Sequence, residues 1–117
     1  MLAEVVRAAR GRGELCRLVA GYFDPLLASH ARRLRRYRGG ADLLVVLVES
    51  PDHPLLPAAP RAELVAALSP VDYVALAGEN ATDLIAAFAE PEVYSEREAG
   101  AEDTRDLVLR IHERQRG

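Results

Sequence analysis

A glycine, an aspartate and a histidine lie within ten residues of one another, directly after the first apolar strand pattern of the chain. The segment reads Gly21-Tyr22-Phe23-Asp24-Pro25-Leu26-Leu27-Ala28-Ser29-His30. In an open parallel sheet, ligands bind beyond the carboxyl ends of the strands. The start of a helix offers backbone amides to an anion, and an imidazole can add another donor. We therefore take residues 21–30 as the candidate segment, and its groups are suited to binding an anion.

Two residues of this segment each allow a structural alternative. His30 either contacts a bound phosphate or only hydrogen-bonds near the start of the helix. Asp24 either takes part in the site or simply fixes the turn. A short match of this kind is weak evidence by itself, so both alternatives stay open here.

The candidate segment needs a strand before it and a helix after it, and the sequence has both patterns. Residues 15–20 are mostly apolar, and residues 27–37 place apolar side chains on one helical face. Six consecutive aliphatic residues, 43–48, predict a parallel strand covered on both faces. Short strands are also predicted at 71–76 and 93–94.

Further helices are predicted at residues 2–10, from Pro60 onward, before Pro91, and from a capping Asp103. Their predicted buried faces are Leu2, Val5, Val6 and Ala9; Leu64, Val65 and Leu68; Leu84, Ile85 and Phe88; and Leu107, Val108 and Ile111. Strands that alternate with helices predict an α/β fold with a small, doubly wound parallel sheet.

Length and composition predict one domain, residues 1–117, in which half of the residues are apolar. The irregular segments, 51–60 with four prolines and 95–102, are too short to be domain linkers. No apolar run approaches the length of a membrane span, and the first residues do not form a signal core, so we expect a cytoplasmic chain without membrane contact.

Charge and cysteine content favour no nucleic acid and no cysteine-based metal site. The net charge is −3, and the arginines between residues 32 and 38 surround an apolar stripe, which predicts a solvated face, with an anionic partner surface as the second interpretation. Cys16 is the single cysteine and is expected in the core. His53 and His112 have no metal-ligand spacing and are expected to be exposed.

The candidate segment resembles the signature G-x-F-D-x-x-H-x-G-H of the cytidylyltransferase-like nucleotidyltransferases. Four of its residues match that signature at the right spacing: Gly21, Phe23, Asp24 and His30. In residues 61–74 and 82–94 the chain is similar to the branch that holds the heptose-phosphate adenylyltransferases and glycerol-phosphate cytidylyltransferases. Residues 103–105 resemble the family's S-T-T/S motif, with Thr104 unchanged.

The resemblance implies a Rossmann-like nucleotidyltransferase topology with a shortened sheet, and a homodimer. It implies catalytic roles for His30 and Asp24 and a substrate-binding role for Arg61. It implies a nucleotide-binding set consisting of Gly21, Tyr22, Phe23, Thr104 and Arg105. An active member would use Mg²⁺ with ATP or CTP, and the partner would be a nucleotide or a small phosphorylated molecule.

The chain departs from the signature where triphosphate would lie. The first signature histidine is Leu27, and the signature glycine is Ser29. The chain also has no lysine, whereas the family carries a lysine-bearing loop after the strand at 93–94. We therefore predict a degenerate nucleotidyltransferase-like domain, weakly active or inactive, that binds a nucleotide or a partner. The alternative is an active enzyme that transfers AMP or CMP from ATP or CTP to a phosphorylated small alcohol or sugar.

Overall fold

A computed structural model describes residues 1–78 and 80–96 of the chain. The helices are α1 (Leu2–Gly11), α2 (Ala28–Arg38), α3 (Ala58–Ala66) and α4 (Ala81–Ala86). The strands are β1 (Cys16–Gly21), β2 (Leu43–Val48), β3 (Tyr73–Leu76) and β4 (Val93–Ser95), and a 3₁₀ turn, Glu90–Glu92, precedes β4. The helix predicted from Asp103, with Thr104 and Arg105 in its first turn, lies outside the described residues.

The four strands form one parallel sheet in the order β3-β2-β1-β4. From β1 the chain moves outward through β2 to β3, and β4 then pairs with the opposite side of β1. The strand order therefore reverses between β1 and β4. In a doubly wound sheet, this reversal opens a crevice at the carboxyl ends of the strands, which is the usual place for a ligand.

Helices cover both faces of the sheet, which explains the unbroken aliphatic sequence of β2. Val45 and Leu47 pack in one core with α1 and α4, whereas Leu44, Val46 and Val48 pack in a second core with α2 and α3. Successive residues of a strand point to opposite faces, so every position of a doubly covered strand must be apolar. The predicted doubly wound parallel α/β sheet is confirmed.

The start of α3 differs from the prediction, because the helix begins at Ala58 and Pro60 is its third residue. A proline is tolerated there, since the first amides of a helix have no intrahelical acceptor. Three residues that we expected in buried faces are exposed: Leu64 is 50%, Val5 is 40% and Ile85 is 38% exposed. Leu64 belongs to the helix over β3, an outer strand of the four, so its side chain extends beyond the covered surface.

Two further predictions concern Cys16 and the arginines of α2. Cys16 is buried in the core with α1 and α4, as predicted, and burial raises the pKa of its thiol. The basic face of α2 is only partly solvated. Arg32, Arg35 and Arg36 are exposed, but Arg38 pairs with Asp72 and donates to the carbonyl of Pro70.

Candidate functional site

The turn after β1 is shaped by close packing around Gly21. A Cβ at this position would lie 3.0 Å from the Cβ of Glu96 and 3.0 Å from the ring of Phe23. Phe23 has a φ of +50°, a backbone region that few side-chain-bearing residues adopt, and it is buried. Its ring meets His30 edge to face, with the centroids 5.3 Å apart. Thus the glycine and the phenylalanine of the signature fix the path of the turn.

His30 is buried and lies in the first turn of α2. Its Nδ1 accepts a hydrogen bond from the backbone amide of Leu27, at 2.9 Å. A residue at this helix position that bonds back to the N-cap amide forms one half of a capping box. Because Nδ1 acts as an acceptor, the neutral ring carries its proton on Nε2. The structure thus shows the hydrogen bond near the helix start that we gave as the structural role of His30. This bond uses Nδ1 and does not decide whether the ring also contacts a ligand.

Asp24 connects the turn to the proline loop. Its two carboxylate oxygens accept from the backbone amides of Leu55 and Leu56, at 2.6 and 2.8 Å. A carboxylate that receives two backbone amides holds both segments in one register. The contacts therefore show a turn-fixing role for Asp24.

The change Asp24→Asn should lower the free energy of unfolding by about 1–3 kcal/mol, because the amide nitrogen of asparagine cannot accept from a backbone amide. Equilibrium urea unfolding measures the effect. Asp52→Asn is the matched control, since Asp52 is exposed in the same loop and should change stability by no more than about 0.5 kcal/mol. Equal stability of the two variants would contradict this role.

Arg61, for which the family resemblance implies a substrate-binding role, is fully buried. Its Nε donates to the Leu56 carbonyl, and one terminal nitrogen donates to the carbonyls of Tyr22 and Glu49, at 2.6 and 2.7 Å. The other terminal nitrogen donates to the Ser50 hydroxyl at 2.8 Å. Four of the five N–H donors of the guanidinium are thus bound within the protein.

These contacts join three segments at the carboxyl end of the sheet: the turn after β1, the residues after β2 and the proline loop. Arginine suits this position because its planar fork can serve several carbonyls at once. Arg61 therefore organises the loops around the candidate segment, and a substrate would have to compete for its donors.

Glu96 belongs to no motif that we identified in the sequence, yet it lies beside the candidate turn. It directly follows β4, and its amide donates to Ala20 of β1 at 2.7 Å. Its buried carboxylate accepts from Arg33 Nε, 3.0 Å from each oxygen, and from the Tyr37 hydroxyl at 2.7 Å. Burial, and secondarily the hydrogen bond to Glu96, raises the pKa of Tyr37 to about 12. The one sequence signal for Glu96 is its position just after the strand predicted at residues 93–94.

The remaining site residues lie in the turn, at the start of α2 or outside the described residues. Tyr22 is half-buried, and its carbonyl is bound to Arg61. Leu27 is the N-cap residue of α2, and Ser29 is half-buried in the first turn. Within α2, the first turn carries no acidic residue. Thr104, Arg105 and His112 lie outside the described residues, and His53 is exposed as predicted.

In the described part of the chain, no group of three or more histidine, cysteine, aspartate or glutamate residues is arranged to hold a metal ion. A cavity of about 350 Å³ lies on the other face of the sheet, between α1, α4 and the ends of β2 and β3. Its lining includes Leu2, Leu47, Ala75 and Asp83 but none of residues 21–30. This cavity is therefore separate from the candidate segment.

The curated proteins that we find similar to this chain share one name. No family model matches the chain. Three proteins named "Bifunctional protein HldE" are similar: those of Geotalea uraniireducens (35% identical over 88 residues), Trichlorobacter lovleyi (34% over 89) and Syntrophotalea carbinolica (34% over 88). Each match covers 68% of this chain and 18% of the HldE protein, so the chain spans less than a fifth of those relatives.

A solved structure also resembles the chain: the lipopolysaccharide core biosynthesis protein from Thermoplasma volcanium GSS1. It is 26% identical, the TM-score is 0.53, and the match covers 59% of this chain and 62% of the other. In the described residues, no helix is both long and apolar enough to cross a membrane. Over about two-thirds of its length the chain is thus homologous to the HldE proteins, and its fold is a nucleotidyltransferase-like, Rossmann-like α/β fold.

Proposed function

We propose that this chain is a nucleotidyltransferase-like domain in which nucleotidyl transfer is weak or lost, and that it binds a nucleotide or a protein partner. One observation carries the proposal. His30 is the only imidazole left from the signature pair, and its Nδ1 already accepts from the Leu27 amide at 2.9 Å. The residue that supplies this amide stands where the signature has its first histidine.

Nucleotidyl transfer requires little covalent help from a protein. The triphosphate must be held in line with the attacking phosphate, and the growing negative charge must be stabilised. Removing one preorganised donor from such a site reduces the rate on the order of a hundred- to a thousandfold. The side chain of Leu27 cannot donate a hydrogen bond, so His30 is the one residue of the signature histidine pair that can stabilise the growing charge.

The hydrogen bond of His30 also works against a positively charged ring. An imidazolium would turn Nδ1 into a donor that faces the donor amide of Leu27. The neutral ring keeps this bond, but it offers a growing phosphate charge less stabilisation than a cation does. Asp24 and Arg61 are held by the proline loop and the strand ends, which further supports a site with few free catalytic groups.

The alternative function is an active nucleotidyltransferase that joins AMP or CMP to a phosphorylated small alcohol or sugar and releases pyrophosphate. The similarity to the HldE proteins favours it, as does the first turn of α2, which is free of acidic residues and suited to an anion. His30 would then stabilise the transferring phosphate, and Thr104 and Arg105 would contact the nucleotide. Magnesium would enter with ATP or CTP, whose phosphates supply oxygen ligands for it.

A homodimer and a cytoplasmic location belong to the same proposal and rest on the sequence resemblance and composition. The central part of the proposal concerns nucleotide binding alone: residues 21–30 bind the phosphates of a nucleotide through the turn and the start of α2. This statement can be tested without knowing the acceptor substrate.

Calorimetric titration with ATP and CTP, each with magnesium, tests nucleotide binding. We expect one nucleotide to bind, and we expect His30→Ala to weaken binding by about tenfold or more, as the loss of a charge-assisted hydrogen bond does. His30→Gln separates the two roles of the histidine, because glutamine at this position can still bond to the Leu27 amide but has no imidazole. His53→Ala, in the exposed loop, should bind like the parent.

Equal binding by His30→Gln and the parent would show that the imidazole does not contact the nucleotide. Absence of binding of both nucleotides would sink the enzyme alternative and leave partner binding as the function.

A further inference from the structure

The carboxyl end of β4 carries a buried ionic cluster that the signature does not account for. The Glu96 side chain is 1% exposed, and it is held by Arg33 and Tyr37 of α2. A guanidinium and a hydroxyl that converge on one carboxylate are also the groups that bind phosphate oxygens. The cluster therefore has the chemistry of an anion pocket with an internal occupant.

The topology places this occupant in the ligand crevice. β1 and β4 are the neighbours between which the strand order reverses, and Glu96 follows the register in which Ser95 pairs with Ala20. Glu96 also packs directly on Gly21, because a Cβ added there would lie 3.0 Å from the Cβ of Glu96. Its side chain thus fills the space beside the turn that follows β1.

The negative charge of Glu96 determines whether a phosphate can bind beside it. A buried carboxylate and a phosphate group repel each other strongly, so they cannot share one arginine at close range. The side chain of Arg33 is 22% exposed, so solvent reaches part of it. The backbone of Glu96 is bound to β1, but its side chain can rotate without breaking that bond.

We propose that Arg33 and Tyr37 form a binding pocket for a phosphate group, and that the Glu96 carboxylate occupies this pocket and keeps phosphate out. The inference deepens the proposed function and rests on it for the location of the ligand, since it names the side chain that limits phosphate binding at the same edge of the sheet. Glu96 is thus a specificity-determining residue: the pocket takes a phosphate when this one carboxyl group is neutralised or displaced.

The variant Glu96→Gln tests the inference, because glutamine keeps the shape of glutamate and removes its charge. We expect the full chain with this change to bind inorganic pyrophosphate, by calorimetry, at least about tenfold more tightly than the parent. The double variant Glu96→Gln, Arg33→Gln should lose the gain. The matched control is Glu92→Gln, since Glu92 pairs with Arg17 at 2.8 Å just before β4 and should leave pyrophosphate binding unchanged.

Equal gains in Glu96→Gln and Glu92→Gln would overturn the inference, because net charge alone would then explain them. No gain in a Glu96→Gln chain that melts cooperatively would overturn it as well. Where Glu96→Gln does not fold, Tyr37→Phe takes its place. This change removes one hydrogen bond that holds the carboxylate, so a severalfold gain supports the pocket and unchanged binding overturns it.

Titrations with ATP separate this inference from the proposed function. A pyrophosphate gain in Glu96→Gln, without ATP binding by the parent, supports the pocket and counts against nucleotide binding. Conversely, ATP binding that depends on His30, together with no pyrophosphate gain in Glu96→Gln, sinks the pocket alone.

Discussion

Replacing Arg61 with methionine should lower the free energy of unfolding by about 3 kcal/mol or more. The change removes four hydrogen bonds, three of them to backbone carbonyls, and leaves buried acceptors at the ends of β1 and β2 without a donor. Since small domains are stable by about 5–15 kcal/mol, this is a large share of the total. Equilibrium unfolding in urea measures the loss.

Arg32→Met is the control for Arg61→Met, because Arg32 is exposed on α2 and its replacement should change stability by no more than about 0.5 kcal/mol. Should the two variants prove equally stable, Arg61 would not hold the loops together. Its guanidinium would then be available to a substrate, as the family resemblance implies.

Restoring the signature with Leu27→His and Ser29→Gly should raise the rate of any nucleotidyl transfer on the order of a hundredfold. The added imidazole at the N-cap of α2 returns one donor to the place where triphosphate would lie, and one such donor has an effect of this size. Pyrophosphate release with ATP or CTP and a phosphorylated acceptor measures the rate. Ser29→Gly alone supplies no donor and serves as the control.

An unchanged rate in a double variant that binds nucleotide would contradict the view that Leu27 limits catalysis. The limit would then lie outside the candidate segment.

Periodicity was sufficient to predict the elements that the sheet covers evenly. β2 is an unbroken aliphatic segment because both of its faces are covered, and six such residues in a row predicted this coverage. Periodicity could not show where coverage ends. Leu64 and Ile85 have the spacing of buried residues but are exposed.

The local structure of the candidate segment was predictable from the sequence, but the contacts around it were not. The turn and the start of α2 follow from a motif that is local in sequence. Arg61 and Glu96, by contrast, are buried because several segments converge on them, and arginine and glutamate are rarely buried unless they are paired. Asp24 shows the same limit: its two amide partners are more than thirty residues away in the proline loop.

Pyrophosphate release by the unmodified chain distinguishes weak or lost nucleotidyl transfer from an active enzyme. The chain would be supplied with ATP or CTP, magnesium and a panel of phosphorylated acceptors such as glycerol 3-phosphate and sugar 1-phosphates. A typical enzyme turns over at about 10 s⁻¹, and the loss of one donor reduces that rate by about a hundred- to a thousandfold, to about 0.01–0.1 s⁻¹. We expect release at or below about 0.1 s⁻¹ with every acceptor. Release at several per second with any of them would contradict it and establish an active nucleotidyltransferase.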